Sequence, residues 1–594
     1  MRFPGWQTLG TPILAALIGV VLWVNVFTVF GDHDFFWHLK TGEWIWQNHS
    51  LPAEDPFAYT TPAHIAGRHL FTLTSYWISQ LLSYLLYRGG GFPALVALRA
   101  VLAGLLLWVM FRQNRGDRLI FMSLLVLALV VLRLYPLERP QTFSFVCFAA
   151  LFGLLSDFLK PAPERPKSRA HWFALPLLMI VWANLHGGFI AGQMLILAFL
   201  VLEGIKFLHP ALGPLTREGY RRLLVAGLLG LAGSLCNPNT WHGLAFLATP
   251  TPADWQVNIE YLSTVFLVRS LNLYQMVVYW LLLLLALLGF IARRDKPDLT
   301  STAILTGLGL VSFIQCRYVP FFLVVAVPGA ALSLSRWKAR QWFAAGLAGL
   351  ALCVGLFFSW RDRTLLLDVG SGRWTDASMP AEQADFILAN DLKGNMYNHW
   401  GWGGYLIWRL APARKVFIDG RGLDQRAFQL ASLIDNNIPF KDTGAPAWKR
   451  LFETYNILYV VVPFVTIDGE RLPLADALLR DPEWLPCAEN ESAVIFVRDT
   501  VENSGVIQKY DLKNRKRVDG DLGLLNRWIE SDPRCITPLL QKGELLMHSS
   551  RRAEARRTFE DALRIEPANA LVRERLKELS TPGNPLLDGA HAVR

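Results

Sequence analysis

Apolar runs of about 20 residues recur through the first three-fifths of the chain, separated by polar loops, and then stop. At 1.5 Å of rise per residue, such runs are long enough to cross a hydrocarbon core of about 30 Å. Eleven are expected, over residues 11–30, 92–111, 119–137, 141–159, 172–185, 189–208, 223–236, 273–292, 300–315, 318–335 and 342–360. The fifth and seventh are short, which predicts that their polar ends sit inside a helical bundle. Beyond residue 360 the polarity is ordinary. Short β-rich runs at 395–410, 415–421, 457–463 and 493–499 alternate with helix-like ones, which predicts an α/β domain over 361–502. A polar linker over 503–520, helices over 521–580 and a disordered tail over 581–594 follow. The fold class is therefore a polytopic α-helical membrane domain (1–360) carrying a soluble α/β domain and a short helical repeat.

Composition agrees with that division. A 53 % hydrophobic content and 22 tryptophans exclude a single soluble domain. The net charge of +10 would suggest nucleic acid in a soluble protein. Here the basic residues fall in every second loop: Arg112, Arg115 and Arg118; Lys160, Arg165, Lys167 and Arg169; Lys206, Arg217, Arg221 and Arg222; Arg293, Arg294 and Lys296; Arg336, Lys338 and Arg340. Basic loops stay in the cytoplasm, so the N-terminus is expected inside and the C-terminal domain outside. The first run is longer than a signal-peptide core and no cleavage motif follows it, so it reads as an uncleaved span. The six cysteines show no metal-type spacing. A disulfide between Cys487 and Cys535 is one reading, simple burial the other.

The opposite loops hold the chemistry. Just past the first run, GDHDFFWHLKTGEWIW places Asp32 and Asp34 one residue apart, with His33 between them and His38 beyond. This opens the longest outer loop, 31–91, in which an aromatic helix over about 35–47, a breaker-rich stretch at 51–62 and a second interfacial or half-inserted helix over 70–87 are expected. Other outer loops bring Glu138 and Arg139, Asn184 and His186, Asn237 and Asn239, and Arg317. An Asp-x-Asp pair suits a divalent cation (Mg2+ or Mn2+) or the activation of a nucleophile. The plainer reading is that Asp34 caps the helix beginning at Phe35 and Asp32 is solvated. His33, His38 and His186 suit metal ligation or phosphate binding, or interfacial hydrogen bonding. Arg139 and Arg317 match phosphate oxygens, or anchor helix ends among headgroups. Asn184–Gly188 and Cys236–Asn239 break helices where polar groups appear, as sites in bundles do and as ordinary turns do.

In the last helices, Gly543, Ala555, Phe559, Ala562 and Pro567 fit the small-aromatic-small-proline positions of a tetratricopeptide repeat. Such a repeat either binds an envelope protein or caps the preceding domain.

The order of a first span, an acidic outer loop with two interfacial helices, a bundle of about this size and an external α/β domain resembles the GT-C class of membrane glycosyltransferases. The resemblance implies catalysis by Asp32 and Asp34 and a polyprenyl phosphate or pyrophosphate sugar donor. A lipid-phosphate donor needs cations for its departing phosphate, a part that suits Arg139 or Arg317, and Asn184 and His186 are expected to shape the sugar pocket with His33, His38 and Glu138 nearby. The run His399-Trp-Gly-Trp-Gly-Gly-Tyr405, with 413–421 and 455–462, is similar to the acceptor-binding domain of oligosaccharyltransferase catalytic subunits, which points to Trp400 and Tyr405. That family's aspartate in Trp-Trp-Asp-Tyr-Gly is matched here by Gly401 or Trp402, so the likeness does not extend to recognition of Asn-x-Ser/Thr. The expected function is a bacterial inner-membrane glycosyltransferase acting on an extracytoplasmic acceptor. A non-catalytic scaffold recruiting envelope proteins is the rival, and a transporter a weaker one, since few charges lie mid-span (Arg99, Arg133, Glu203).

Overall fold

The structure, a computed structural model, describes residues 5–62, 68–160, 170–213, 217–242, 259–291, 298–337, 340–367, 374–376, 378–440, 444–464, 471–490, 493–510, 522–523, 525–530, 535–548, 551–567 and 569–580. The chain forms two compact units, Met1–Glu54 with Ala63–Thr375, and Asp55–Pro62 with Asp376–Arg594.

The first unit is helical: α1 Gly5–Val26, α2 His33–Asn48, α3 Arg68–Thr74, α4 Trp77–Gln113, α5 Arg118–Leu132, α6 Gln141–Phe158, α7 Ala170–Leu185, α8 Phe189–Leu208, α9 Arg217–Gly233, α10 Thr264–Leu271, α11 Gln275–Ile291, α12 Leu299–Ile314, α13 Val319–Leu334 and α14 Arg340–Arg361. A helix lies over each of the apolar runs read from the sequence. Among the described residues, six helical stretches are long and apolar enough to cross a membrane, and four more are apolar but shorter. The chain is a multi-pass membrane protein. Helix α5 is apolar on every side and buried from Leu119 to Leu132, as a helix surrounded by others must be. Helices α1, α11, α13 and α14 pack around it. The outer faces of α1 and α14 show Trp23, Trp342, Phe357 and Trp360 outward.

The second expected helix forms the first part of α4, which breaks at Gly91 (φ 61°, ψ −154°, outside the helical region and open to glycine) before the second apolar run resumes as helix. Helix α2 lies directly on α4, because a Cβ at Gly42 would stand 2.1 Å from the Gln80 carbonyl oxygen. The mid-span charges are all paired within the bundle. Arg99 Nη1 donates to the carbonyls of Val26 (3.3 Å) and Thr28 (2.7 Å), just past the end of α1. Its guanidinium also covers the Phe30 ring at 3.6 Å. Arg133 lies 3.8 Å from Asp362. Glu203 and Asp298 each lie 2.6 Å from Lys206 Nζ, tying α8 to the start of α12. Burial of ions in lipid is costly unless they are matched in this way.

The second unit is built on a four-stranded sheet of order β1-β2-β4-β3 (Asn395–Asn398, Ile457–Pro463, Ala493–Arg498, Trp484–Glu489). β1 runs parallel to β2, and the other pairs are antiparallel. Helices Gln425–Asp435, Ala447–Thr454 and Pro473–Arg480 contribute to its core. Of the expected β-rich runs, 457–463 and 493–499 form strands. The 395–410 run keeps only four strand residues and then turns into the helix Gly403–Leu410, while 415–421 makes one isolated bridge, Val416 to Ala58. Through that bridge the loop segment Asp55–Pro62 belongs to this unit. Tyr59 donates its hydroxyl to the Met396 carbonyl (2.8 Å) and Thr60 donates to Phe417 (2.5 Å).

Arg421 fastens the segment. It donates to both Asp55 oxygens (2.7 and 3.0 Å) and both Asp419 oxygens (2.8 and 2.6 Å), with all three side chains at most 5 % exposed. Helices Thr537–His548, Arg552–Ile565 and Ala570–Ser580 form the C-terminal hairpins, with the Phe559 ring seated against Gly543. Buried Glu544 accepts from Arg575 (2.7 Å) and from Arg471, so the hairpins are fastened to the α/β part. Of the expected linker, Ser504–Tyr510 is helical and 511–520 lies outside the described residues, as does the tail 581–594. Among the described residues no two cysteines are joined in a disulfide, and Cys487 is buried.

Candidate active site

The chain leaves α1, is held by Arg99, and enters α2 with Asp32 as the capping residue. Asp32 Oδ1 accepts the N–H groups of Asp34 (2.8 Å) and Phe35 (3.1 Å), satisfying donors that a helix start leaves open. The cap is therefore Asp32 and not Asp34, and the helix begins at His33. Asp32 Oδ2 accepts from Arg139 Nε at 2.5 Å. With both oxygens engaged and its side chain 6 % exposed, Asp32 is a fixed part of the frame. Asp34, in the first turn, is 28 % exposed, and its Oδ2 accepts from Arg139 Nη2 at 2.9 Å. Of the two carboxylates, Asp34 is the one a substrate can reach.

Arg139 comes from the turn between α5 and α6, where its N–H reaches the Pro136 carbonyl and its own carbonyl accepts from Thr142. The third nitrogen, Nη1, donates to Glu260 in the short turn Ile259–Tyr261. Burial opposes the charge of this guanidinium, but Asp32, Asp34 and Glu260 outweigh it and raise its pKa. Three carboxylates around one guanidinium leave negative charge in excess. Glu260 was not among the residues singled out from the sequence. Its signal was a lone carboxylate in a loop without periodicity. Glu138, next to Arg139, faces the other way and lies 3.0 Å from Arg99.

Arg317 sits in the turn Cys316–Tyr318, with its guanidinium 4.7 Å from the Tyr261 ring. That turn is tied to the Glu260 turn by the Cys316 N–H on the Leu262 carbonyl (3.0 Å), and Tyr135 donates to the Cys316 carbonyl (2.6 Å). Tyr76, at the start of α4, lies 5.1 Å from the His38 ring and 5.2 Å from that of His186. His38 is buried, lies against Trp37, and accepts from Gln80 Nε2 at 3.1 Å. His33 is half-buried at the start of α2.

His186 Nδ1 accepts the Gly188 N–H (2.9 Å) and the Ser144 hydroxyl (2.7 Å), and Ser144 in turn accepts from Trp182 Nε1 (2.7 Å). Burial, then the charges of Arg317 and Arg139, push the His186 pKa down to about 3. The imidazole is neutral at physiological pH, with its proton on Nε2. Asn184 is fully engaged as a tie: it donates to the Ile180 and Cys236 carbonyls (2.8 and 2.7 Å) and accepts from Trp77 Nε1 (2.9 Å). Asn239 likewise bonds Thr74.

The donor set does not suit a divalent ion. Asp32 has no oxygen to spare, and Arg139 stands between it, Asp34 and Glu260. Among the described residues no group of three or more His, Cys, Asp or Glu side chains is arranged to hold a metal. In the second unit, Trp400 is half-buried edge-on to Phe428 (5.8 Å). Tyr405 is buried, and its hydroxyl accepts from Arg409 at 3.0 Å. Gly403, between them, serves close packing, since a Cβ there would meet the Ile418 carbonyl oxygen at 2.2 Å.

No protein-family model matches the chain, and no curated protein sequence matches it. Solved structures do. Arabinofuranosyltransferase AftD from Mycobacteria is 15 % identical, over 82 % of this chain and 41 % of that one, with a TM-score of 0.49. ArnT from Cupriavidus metallidurans bound to undecaprenyl phosphate is 14 % identical, over 83 % of this chain and 98 % of that one, at 0.47. The oligosaccharyltransferase of Archaeoglobus fulgidus is 12 % identical, over 84 % and 75 %, at 0.45. In architecture the chain is similar to these membrane glycosyltransferases, at scores that leave its chemistry to be argued from its own residues.

Proposed function

We propose that the chain is an integral-membrane glycosyltransferase of the bacterial inner membrane, with the N-terminus cytoplasmic and the second unit outside. It would move a sugar from a polyprenyl-phosphate-linked donor to an extracytoplasmic acceptor. The observation that carries this is Asp34: a reachable carboxylate fixed at a helix start by Arg139, in the outer-loop cluster that also holds Glu260, Arg317, Tyr76 and His186.

The chemistry runs as one displacement. An acceptor O–H or N–H attacks the anomeric carbon, its proton passes to Asp34, and the bond from that carbon to the lipid phosphate oxygen breaks. The departing phosphate needs a cation. Arg139 is surrounded by carboxylates that would repel an anion, so Arg317, held on aromatic faces, is assigned that part. His186, neutral with a proton on Nε2, is assigned as a hydrogen-bond donor to the sugar. Asp32, Glu138 and Asn184 are assigned to the frame. Trp400 and Tyr405 rest on the family resemblance as acceptor-side residues.

The test is consumption of polyprenyl-phosphate-linked sugars by the full-length protein in nanodiscs, screened across donors with envelope extract as acceptor. Turnover of one donor, weakened in affinity by Arg317→Ala, is expected. No turnover of any lipid-linked sugar by well-folded protein would remove the reading.

A further inference from the structure

Asp32 and Asp34 at the start of α2 meet a third carboxylate, Glu260 from the turn Ile259–Tyr261, and a guanidinium lies among them. Arg139 gives one nitrogen to each: Nε to Asp32, Nη2 to Asp34 and Nη1 to Glu260. Hard divalent cations gather carboxylate oxygens in the same way, at about 2.0–2.6 Å. The arginine is no loose surface residue. Its backbone closes a turn with Pro136 and Thr142, and the neighbouring Glu138 is locked to Arg99, which also holds the chain leaving α1. Asp32 Oδ1 is committed to the cap, so the oxygen it could offer an ion is the one Arg139 holds.

We infer that Arg139 is the resident cation of this corner, standing where a divalent metal would otherwise bridge Asp32, Asp34 and Glu260. The corner then keeps its geometry without a metal ion, and removing the guanidinium opens a divalent-cation site. Arg139 is accordingly a positioning residue for Asp34. The inference deepens the reading of this corner as the reaction centre, but it is tested by ion binding and not by sugar transfer, so the two can fail separately.

The experiment titrates Mn2+ into the full-length protein in nanodiscs, reading bound ion by electron paramagnetic resonance and the unfolding midpoint by tryptophan fluorescence. The native protein is expected to hold no Mn2+ that depends on Asp34, and its midpoint should not respond to Mn2+ or to a chelator. Arg139→Ala is expected to melt lower, to bind one Mn2+, and to have its midpoint raised by the ion. Both gains should vanish in Arg139→Ala combined with Glu260→Gln.

Mn2+ bound by the native protein and lost on Asp34→Asn would overturn the inference. So would a folded Arg139→Ala that gains no ion. Should Arg139→Ala not fold, the native titration against Asp34→Asn decides alone.

Discussion

Replacing Arg421 by methionine removes the one guanidinium that holds Asp55 and Asp419, and with it the fastening of segment Asp55–Pro62 to the second unit. The three side chains are at most 5 % exposed, and four hydrogen bonds of 2.6–3.0 Å join them. Truncating one partner of such a buried cluster leaves uncompensated charge and costs about 3–5 kcal/mol. Asp55 keeps the Phe57 N–H and the Thr61 hydroxyl, and Asp419 keeps the Arg421 N–H, so the carboxylates remain partly satisfied.

The cost falls on the bridge beside them, where Tyr59 N–H donates to the Val416 carbonyl (3.2 Å) and Val416 N–H to the Phe57 carbonyl (3.0 Å). Amide hydrogen exchange of these two positions should accelerate roughly 10²–10⁴-fold, at about 1.4 kcal/mol per decade. Acceleration of less than about tenfold would refute the reasoning.

Asp435 donates a second test, since burial pushes its carboxyl pKa up to about 7 while Tyr397 bonds it at 2.7 Å. The folded state keeps this proton where the unfolded state has lost it, so the group's contribution to stability falls as pH rises from about 4 to about 7, by at most about 1.4 kcal/mol per pH unit. Asp435→Asn should flatten that slope in thermal melts. Gly42→Ala, a change that ordinarily favours a helix by about 1 kcal/mol, should instead destabilise by about 1–3 kcal/mol, because its Cβ runs into α4; a raised melting midpoint would contradict the packing described. Asp32→Ala should lower the melting midpoint through loss of the cap, worth about 1 kcal/mol, while Asp32→Asn keeps most of the capping.

Much of the helical unit was legible because length and apolarity mark a membrane helix directly. The segments from 11–30 to 342–360 each coincide with helix, and the breaks at Asn184–Gly188 and Cys236–Asn239 fall where chain turns are observed. What was missed depended on contacts that sequence does not print. Asp32 and not Asp34 caps α2, a choice made by one residue of register.

Strand β3 went unread because Pro486 interrupts it, and of the 395–410 run only Asn395–Asn398 is strand. Within the candidate site, Asp34 and Arg139 were read as separate players, one for acceptor or metal and one for phosphate. They bind each other, and Arg139 binds Glu260, through tertiary contacts that no spacing along the chain encodes.

The most direct measurement compares sugar transfer by full-length protein in nanodiscs for Asp34→Asn and the native chain, with donor binding and the melting midpoint measured on the same samples. The account predicts that Asp34→Asn binds donor and melts as the native protein does but turns over about 10²–10⁴-fold more slowly, the share of a general base. Native turnover by Asp34→Asn would contradict it.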